Sequence, residues 1–155
     1  MRAVAGDDHP HTNRTLPLIL VRLIAGYTGS LAESLLFFYG SLKRGYSNHH
    51  RIATQKYLGD AVTLPCYRII ELGEYGGMIR DETGGLAVKG ELWAIDSQCL
   101  AELDEFEMGE GVFARMPVSI AGRQGVQSYC WTGAVPGGVR SSHVWPFVSS
   151  NDSSG

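Results

Sequence analysis

Cysteine is scarce in this sequence, and the few cysteines form no recognisable pattern. Only three occur, an odd number with no Cys-x-x-Cys spacing: Cys66, Cys99 and Cys130. Such a set predicts neither a disulfide framework nor a zinc site. We therefore expect reduced thiols in the core of a cytoplasmic protein that needs no metal or other cofactor.

Long hydrophobic runs and a large excess of charge of one sign are also absent. The apolar run at residues 16–21 is followed by Arg22 and is far shorter than the ~20 residues that span a bilayer. Two acids, Asp7 and Asp8, precede this run, which is unlike a signal peptide. The formal net charge is only −3. These features predict no membrane span and no general affinity for nucleic acid, and they do not predict an oligomeric state.

What the sequence does contain is enough apolar material for one folded domain. Its 155 residues are 44% hydrophobic and 19% charged, as expected of a chain that buries a core. Residues 1–34 are predicted to be an N-terminal extension of uncertain structure, either the product of an upstream start codon or an element that caps the domain. Residues 35–148 are predicted to form the domain, and 149–155 a serine-rich polar tail.

Strand patterns outnumber helix patterns along the predicted domain, which favours an α+β fold. A cap at Asp96 or Ser97 and the glycines after Met108 delimit one strong helix, and residues 48–57 predict a shorter one. Gly76-Gly77 and Gly84-Gly85 are typical of turns. Segments rich in Val, Ile and Tyr predict strands at 35–39, 61–64, 67–71, 86–95, 116–120 and 126–131.

The first candidate site is the loop Tyr39-Gly40-Ser41-Leu42, which follows the apolar strand at 35–39. Gly40 and Gly45 give the backbone freedom to turn its N–H groups toward an anionic or zwitterionic ligand. The segment lacks the Gly-Lys-Ser/Thr ending of a phosphate loop. Ser41 has no nucleophile-elbow pattern around it. His49 and His50 follow closely, and we expect them to brace the loop or lie on the surface.

The second candidate is Glu107, near the end of the predicted helix. Four apolar residues form one stripe of that helix: Cys99, Leu100, Leu103 and Phe106. At 100° per residue Glu107 falls within about 50° of the centre of the stripe, whereas Glu102, Asp104 and Glu105 lie further round. A carboxylate directed inward would have a raised pKa. Periodicity leaves a second interpretation open, in which Glu107 lies in a frayed last turn and faces water.

Four sequence blocks follow one another along the predicted domain: Tyr39-Gly40-Ser41-Leu42 with Lys43-Arg44-Gly45 and Asn48-His49, then Gly90-Glu91-Leu92-Trp93-Ala94-Ile95-Asp96, then Leu103-Asp104-Glu105-Phe106-Glu107, then Phe113-Ala114-Arg115. Together they resemble the gamma-glutamylcyclotransferase-like family, with the closest resemblance to gamma-glutamylamine cyclotransferases and the butirosin-pathway deprotecting enzyme. The resemblance covers roughly residues 35–133. Phe113 stands where relatives commonly carry Tyr, and Trp131 falls near where a Tyr is often found.

This resemblance implies a fold and a chemistry. The fold would be a small mixed β-barrel with one main helix packed against it. The protein would release 5-oxoproline and a free amine from a γ-glutamyl amide by attack of the α-amine on the γ-carbonyl. Glu107 would be the catalytic acid/base, and main-chain groups of Tyr39, Gly40, Ser41 and Leu42 would bind the glutamyl part. The alternative is a non-catalytic member of the same fold that binds a small molecule.

The leaving amine is not identified by sequence. A free amino acid, a lysine side chain, a polyamine and an aminoglycoside side chain all fit the resemblance. Eleven of the sixteen acidic residues fall between positions 71 and 110. If these acids rim the site they favour a cationic leaving group and a salt-dependent rate; otherwise they form a solvated acidic face.

Overall fold

The computed structural model describes residues 32–148. The predicted N-terminal extension at 1–34 lies almost wholly outside these residues, as does the polar tail at 149–155, and both stay predictions. The described part contains a 3₁₀ helix, His49–Arg51, and one α-helix, α1, Ser97–Met108. Eight strands form one sheet: β1 Glu33–Phe38, β2 Lys56–Val62, β3 Tyr67–Leu72, β4 Tyr75–Arg80, β5 Lys89–Asp96, β6 Phe113–Ile120, β7 Arg123–Trp131 and β8 Ser141–Ser142.

Strand β1 lies at the centre of the mixed sheet. It pairs antiparallel with β5 and parallel with β7, and β2 follows on the far side of β5. Beyond β7 come β4, β3 and β8, while β6 pairs antiparallel with β7 along its length. A bridge between Thr63 and Ile120 joins the end of β2 to the end of β6, so the sheet curls on itself. This curled mixed sheet with one main helix confirms the predicted fold class.

The central strand is apolar on both faces because both faces are buried. Phe37 belongs to a core cluster with Ile69, Met78 and Val126 on one side of the sheet. Its neighbours Leu36 and Phe38 point the other way, as the two-residue period of a strand requires, and pack in a second cluster with residues of α1. Helix α1 therefore covers the second face of the sheet.

Helix α1 begins and ends where the sequence predicts. The Asp96 carboxylate caps it by accepting a hydrogen bond from the Cys99 N–H at 2.8 Å, and Gly109 follows the last residue. Cys99 and Leu103 are buried, as the apolar stripe predicts. Phe106, however, is 38% exposed, so the buried part of the stripe ends at Leu103.

The helix predicted at 48–57 is wrong. Only the 3₁₀ turn His49–Arg51 forms, and β2 already begins at Lys56, before the strand predicted at 61–64. Long-range contacts decide the backbone here. The Gln55 side chain accepts a hydrogen bond from the Asp96 N–H at 2.8 Å, which holds the chain in an extended path beside β5.

The turn predicted at Gly76-Gly77 is also wrong, because both glycines lie inside β4. A Cβ on Gly76 would come within 2.6 Å of Ile69 Cγ2, and one on Gly77 within 2.7 Å of Trp131 Cβ. These glycines therefore serve close packing rather than chain reversal. The turn lies three residues earlier, at Gly73, whose φ of 78° suits glycine.

Candidate active site

A cavity of about 150 Å³ lies where the end of β1 meets the last turn of α1. It brings together the two stretches that sequence analysis singles out, the loop at residues 39–42 and Glu107. Its lining consists of Phe37, Phe38, Tyr39, Gly40, Ser41, Leu42, Asn48, Tyr75, Gly76, Phe106, Glu107, Phe113, Ser128, Tyr129 and Trp145.

The phenol of Tyr39 is part of the scaffold. Its hydroxyl donates to the Tyr129 carbonyl at 2.8 Å and accepts from the Met78 N–H at 2.9 Å, and the side chain is buried. These bonds tie the end of β1 to β4 and β7. Because both hydrogen-bonding roles of the hydroxyl are filled, the loop meets the cavity through its backbone rather than through this side chain.

The carbonyl groups of the loop are hydrogen-bonded to residues that follow it in the chain. Ser41 O accepts from Asn48 N–H at 3.0 Å, and the Asn48 amide donates to Ser41 Oγ at 2.7 Å. The ring Nδ1 of His49 lies 3.0 Å from Leu42 O, which is the bracing role expected of this histidine. Among residues 32–148, the N–H groups of Gly40, Ser41 and Leu42 have no hydrogen-bond acceptor. They are therefore available to a ligand in the cavity.

Two basic residues after the loop fix it to the rest of the fold. Arg44 donates from its backbone N–H and its Nε to the buried carboxylate of Glu91, both at 3.1 Å. Lys43 Nζ donates to the Trp145 carbonyl, and burial lowers the pKa of this lysine. Gly45 has a φ of 89°, as its predicted role in turning the chain requires, whereas Gly40 has no positive φ. The loop is thus held rigidly although it carries free N–H groups.

Glu107 is half-buried on the cavity wall. Its carboxylate has no hydrogen bond and no ion pair within residues 32–148. Burial raises the pKa of Glu107 to about 7, and the positive charge of Arg51 opposes the rise. Glu107 lies within α1 and lines the cavity, so the interpretation of Glu107 as a frayed, water-facing residue does not hold.

A second acid of α1, Asp104, also turns inward, which the sequence analysis missed. Arg115 binds it with Nε and Nη2 at 2.9 and 3.0 Å, and the Tyr129 hydroxyl donates to it at 2.7 Å. Burial raises the pKa of Asp104, but the hydrogen bonds from Arg115 and Tyr129 outweigh it and lower the value overall. The sequence places an acid, Asp104, before the turn between α1 and β6 and a base, Arg115, after it, and this pattern could have predicted the ion pair. The network fixes α1, and with it Glu107, against β6 and β7.

Aromatic side chains make up much of the remaining wall, and they come from separate elements. Phe106 is on α1, Tyr75 on β4 and Phe113 on β6. The Phe113 ring centroid lies 6.0 Å from that of Tyr75 and 5.4 Å from that of Trp131. Phe113 and Trp131, the two departures noted in the sequence, are therefore in contact.

The acidic residues between 71 and 110 do not gather at the cavity. Glu107 alone among them lines it. Five of the eleven are ion-paired with arginine, namely Glu71, Asp81, Glu82, Glu91 and Asp104. The idea that these acids rim the site is not supported by this arrangement.

Two further findings concern metals and membranes. Within residues 32–148, no three His, Cys, Asp or Glu side chains are grouped so that they could hold a metal ion. No helix in the same range is long and apolar enough to cross a membrane. Cys66, Cys99 and Cys130 are all free thiols.

Comparison with known proteins agrees with this fold. A relative from Vibrio cholerae is 37% identical over 75 residues, which are 48% of this chain and 63% of that protein's length. The human gamma-glutamylaminecyclotransferase is 33% identical over 90 residues, 53% of this chain and 58% of its own. The matched segments thus span less than two thirds of these relatives. An AIG2-like protein from Mus musculus has a similar crystal structure, with a TM-score of 0.61 over 77% of this chain and 92% of that one, at 21% identity.

The match to a family model is more extensive than the two sequence matches. The model described as "Gamma-glutamyl cyclotransferase, AIG2-like" matches residues 36–147, which include the loop after β1, helix α1 and the whole lining of the cavity. The chain therefore belongs to the AIG2-like gamma-glutamyl cyclotransferase family.

Proposed function

We propose that this protein is a γ-glutamylcyclotransferase, which converts a γ-glutamyl amide to 5-oxoproline and a free amine. One observation carries the proposal. Glu107 and the loop at 39–42 line the same cavity, and within residues 32–148 neither the Glu107 carboxylate nor the N–H groups of Gly40, Ser41 and Leu42 have a hydrogen-bond partner. A proton carrier and a set of anion-binding donors are what this reaction needs, because the substrate supplies its own nucleophile.

The reaction closes a five-membered ring within the substrate. The α-amine nitrogen forms a bond to the γ-carbonyl carbon, and the bond from that carbon to the amide nitrogen breaks. Holding the substrate in the folded conformation removes several kcal/mol of the entropic barrier. No enzyme nucleophile is required, so the cavity can work with Ser41 and Ser128 as wall residues only.

Glu107 carries the proton in both halves of the reaction. As a carboxylate it takes a proton from the α-ammonium group, which frees the amine to attack. As a carboxylic acid it then gives a proton to the departing nitrogen, which leaves only when protonated. A pKa of about 7 suits both steps, since neither form is strongly preferred near neutral pH.

The loop at 39–42 binds the charges of the substrate. Its free N–H groups can donate hydrogen bonds to the α-carboxylate of the glutamyl part or to the oxyanion that forms on the γ-carbonyl. Tyr129 holds a different role. Its hydroxyl is bonded to Asp104, and burial raises its pKa, so it stays protonated and serves to position the wall.

The lining of the cavity favours an amine over an amino acid as the leaving group. A γ-glutamyl amino acid has a second α-carboxylate on the leaving side. No lysine, arginine or histidine of the described residues lines the cavity to receive it. A γ-glutamylamine lacks that carboxylate, so we place the enzyme in the γ-glutamylamine type.

We also propose that the protein is cytoplasmic, since all three of its cysteines are free thiols, as a reducing compartment would keep them.

A substrate panel tests this function. Purified protein is incubated with γ-glutamyl amines and with γ-glutamyl amino acids such as γ-glutamyl-alanine, and 5-oxoproline is measured by mass spectrometry against enzyme-free samples. Release above the spontaneous rate, faster for the amines, is the expected result. Binding of these compounds without any release would instead identify a non-catalytic binding protein of the same fold.

A further inference from the structure

The aromatic residues beside Glu107 are not part of the hydrophobic core. Phe106, Tyr75 and Phe113 belong to neither core cluster, nor are they among the partly buried residues packed against those clusters. Tyr75 is 46% exposed and Phe106 38% exposed. Large apolar groups that are exposed together at a cavity, rather than singly, are typical of a ligand-binding surface.

These three residues line the same cavity, and two of them, Tyr75 and Phe113, are in ring contact. Phe106 precedes Glu107 directly in α1, and Tyr75 and Phe113 reach the same cavity from β4 and β6. Phe113 also contacts Trp131, which does not line the cavity. The free N–H groups belong to the other stretch of the lining, the loop at 39–42, which leaves the aromatic wall for the part of the substrate beyond the reacting amide.

The charges near this wall do not suit a cationic group. The guanidinium of Arg51 lies 3.6 Å from the centroid of the Phe106 ring, so a positive charge already covers one of its faces. The same arginine acts electrostatically on Glu107. Arg51 lines a separate depression with Phe106, where Glu102 and Glu105 offset its charge. Within residues 32–148 the cavity itself offers a cationic group no acid other than Glu107, which is needed for proton transfer.

We propose that Phe106, Tyr75 and Phe113 form a subsite for the uncharged, apolar chain of the leaving amine. This inference rests on the proposed function and deepens it. The preferred substrates are then γ-glutamyl amides of amines that carry an alkyl or aryl group. The chain of the amine packs against the aromatic wall while its nitrogen stays beside Glu107.

A homologous series of substrates measures the subsite directly. Primary n-alkylamines have nearly equal basicity, so γ-glutamyl-ethylamine, -butylamine and -hexylamine differ in apolar area but hardly in leaving-group chemistry. We expect kcat/KM to rise about two- to fourfold for each added methylene, because burying one contributes about 0.8 kcal/mol. The 6-aminohexyl amide, which ends in a cation, should be a poorer substrate than the hexyl amide.

Variants assign the effect to the wall. Phe113→Ala and Tyr75→Ala should each flatten the dependence of kcat/KM on chain length, and Phe113→Leu should restore part of it. Met116→Ala is the matched control, since Met116 is on the same strand as Phe113 and 43% exposed but does not line the cavity. It should keep the wild-type slope. If Phe113→Ala does not fold, Tyr75→Ala and the wild-type series still decide the question.

The outcomes separate this inference from the function on which it rests. If wild-type protein releases 5-oxoproline from no member of the series, the proposed function fails. If it uses all members equally well, the function stands and the aromatic subsite is wrong. Better use of the 6-aminohexyl amide than of the hexyl amide would also overturn the subsite and would favour a cationic leaving group.

Discussion

Glu107 differs from the neighbouring acids of helix α1 in having a half-buried carboxylate that no residue of the described range 32–148 binds. Glu102 and Glu105 are exposed to water, and Asp104 is neutralised by Arg115. An inward carboxylate that no donor compensates destabilises the charged form, which is why its pKa rises to about 7. Such uncompensated groups are common where a protein needs proton transfer.

The first prediction at this scale is a pH dependence of the rate. Glu107 must be ionised in the free enzyme to accept the proton of the α-ammonium group. We therefore expect kcat/KM for 5-oxoproline release to fall as pH drops through about 7, with the limb reporting this pKa. Initial rates with one γ-glutamylamine across pH 5 to 9 measure it. A limb near the ordinary value of a glutamate would show that burial does not act on the catalytic group.

The second prediction concerns stability. A carboxyl whose folded-state pKa is raised is well tolerated at low pH and loses stability as pH rises from its unfolded value, 4.5, to its folded value, about 7. That difference corresponds to about 3 kcal/mol. Glu107→Gln should therefore increase the free energy of unfolding by up to about 3 kcal/mol at pH 8 and by little at pH 5.

Denaturant unfolding at the two pH values measures this difference. Glu105→Gln, at an exposed position of the same helix, is the control and should change stability little at either pH. If Glu107→Gln were as neutral as Glu105→Gln at pH 8, the Glu107 carboxylate would have to be well solvated or paired in the folded protein.

At the scale of the elements, what could be read from sequence depends on the range of the forces involved. The limits of α1 follow from the Asp96 cap and from Gly109, which act within a few residues, and these were predicted correctly. Glu107 reaches the cavity wall because of helical periodicity, which is also local. Its catalytic role stays a proposal.

The elements that sequence analysis missed are decided by distant contacts. Gly76-Gly77 predicts a turn because it is a local turn pattern, but in the fold Trp131 and Trp145 pack against these glycines and β4 runs through them. The aromatic wall of the cavity could not be predicted either, since Phe106, Tyr75 and Phe113 come from three separate elements. No local pattern relates these positions.

The close packing of β4 gives a prediction for Gly77→Ala. The added methyl group would lie 2.7 Å from Trp131 Cβ, so the strand or the tryptophan must shift. We expect a loss of about 1–3 kcal/mol in the free energy of unfolding. Gly137→Ala is the control, because a Cβ there meets nothing within 4 Å. Equal stability of the two variants in a denaturant titration would refute the close packing of β4.

At the scale of the whole molecule, the distribution of charge matters more than its total. Five of the eleven acids between residues 71 and 110 are paired with arginines, and of the eleven only Glu107 lines the cavity. An ion pair has little net charge to act on a distant cation. The described part of the chain thus provides no strong acidic field to guide a cationic substrate.

This distribution predicts a weak effect of salt. We expect kcat/KM for the 6-aminohexyl amide to stay nearly flat as the salt concentration rises, as it should for the uncharged hexyl amide. Rates for both substrates over a salt series measure the difference. A steep fall for the cationic substrate alone would mean that the acids do attract it, as the sequence by itself suggested.

The central claim, that Glu107 carries the proton in a cyclotransferase reaction, is tested most directly by comparing Glu107→Gln with Glu105→Gln. The assay is the rate of 5-oxoproline release from a γ-glutamylamine, with circular dichroism to verify the fold. The account predicts that Glu107→Gln loses at least about a hundredfold in kcat/KM, the usual contribution of a general acid/base, and that Glu105→Gln stays close to wild type. Turnover at the wild-type rate by a folded Glu107→Gln protein would contradict it.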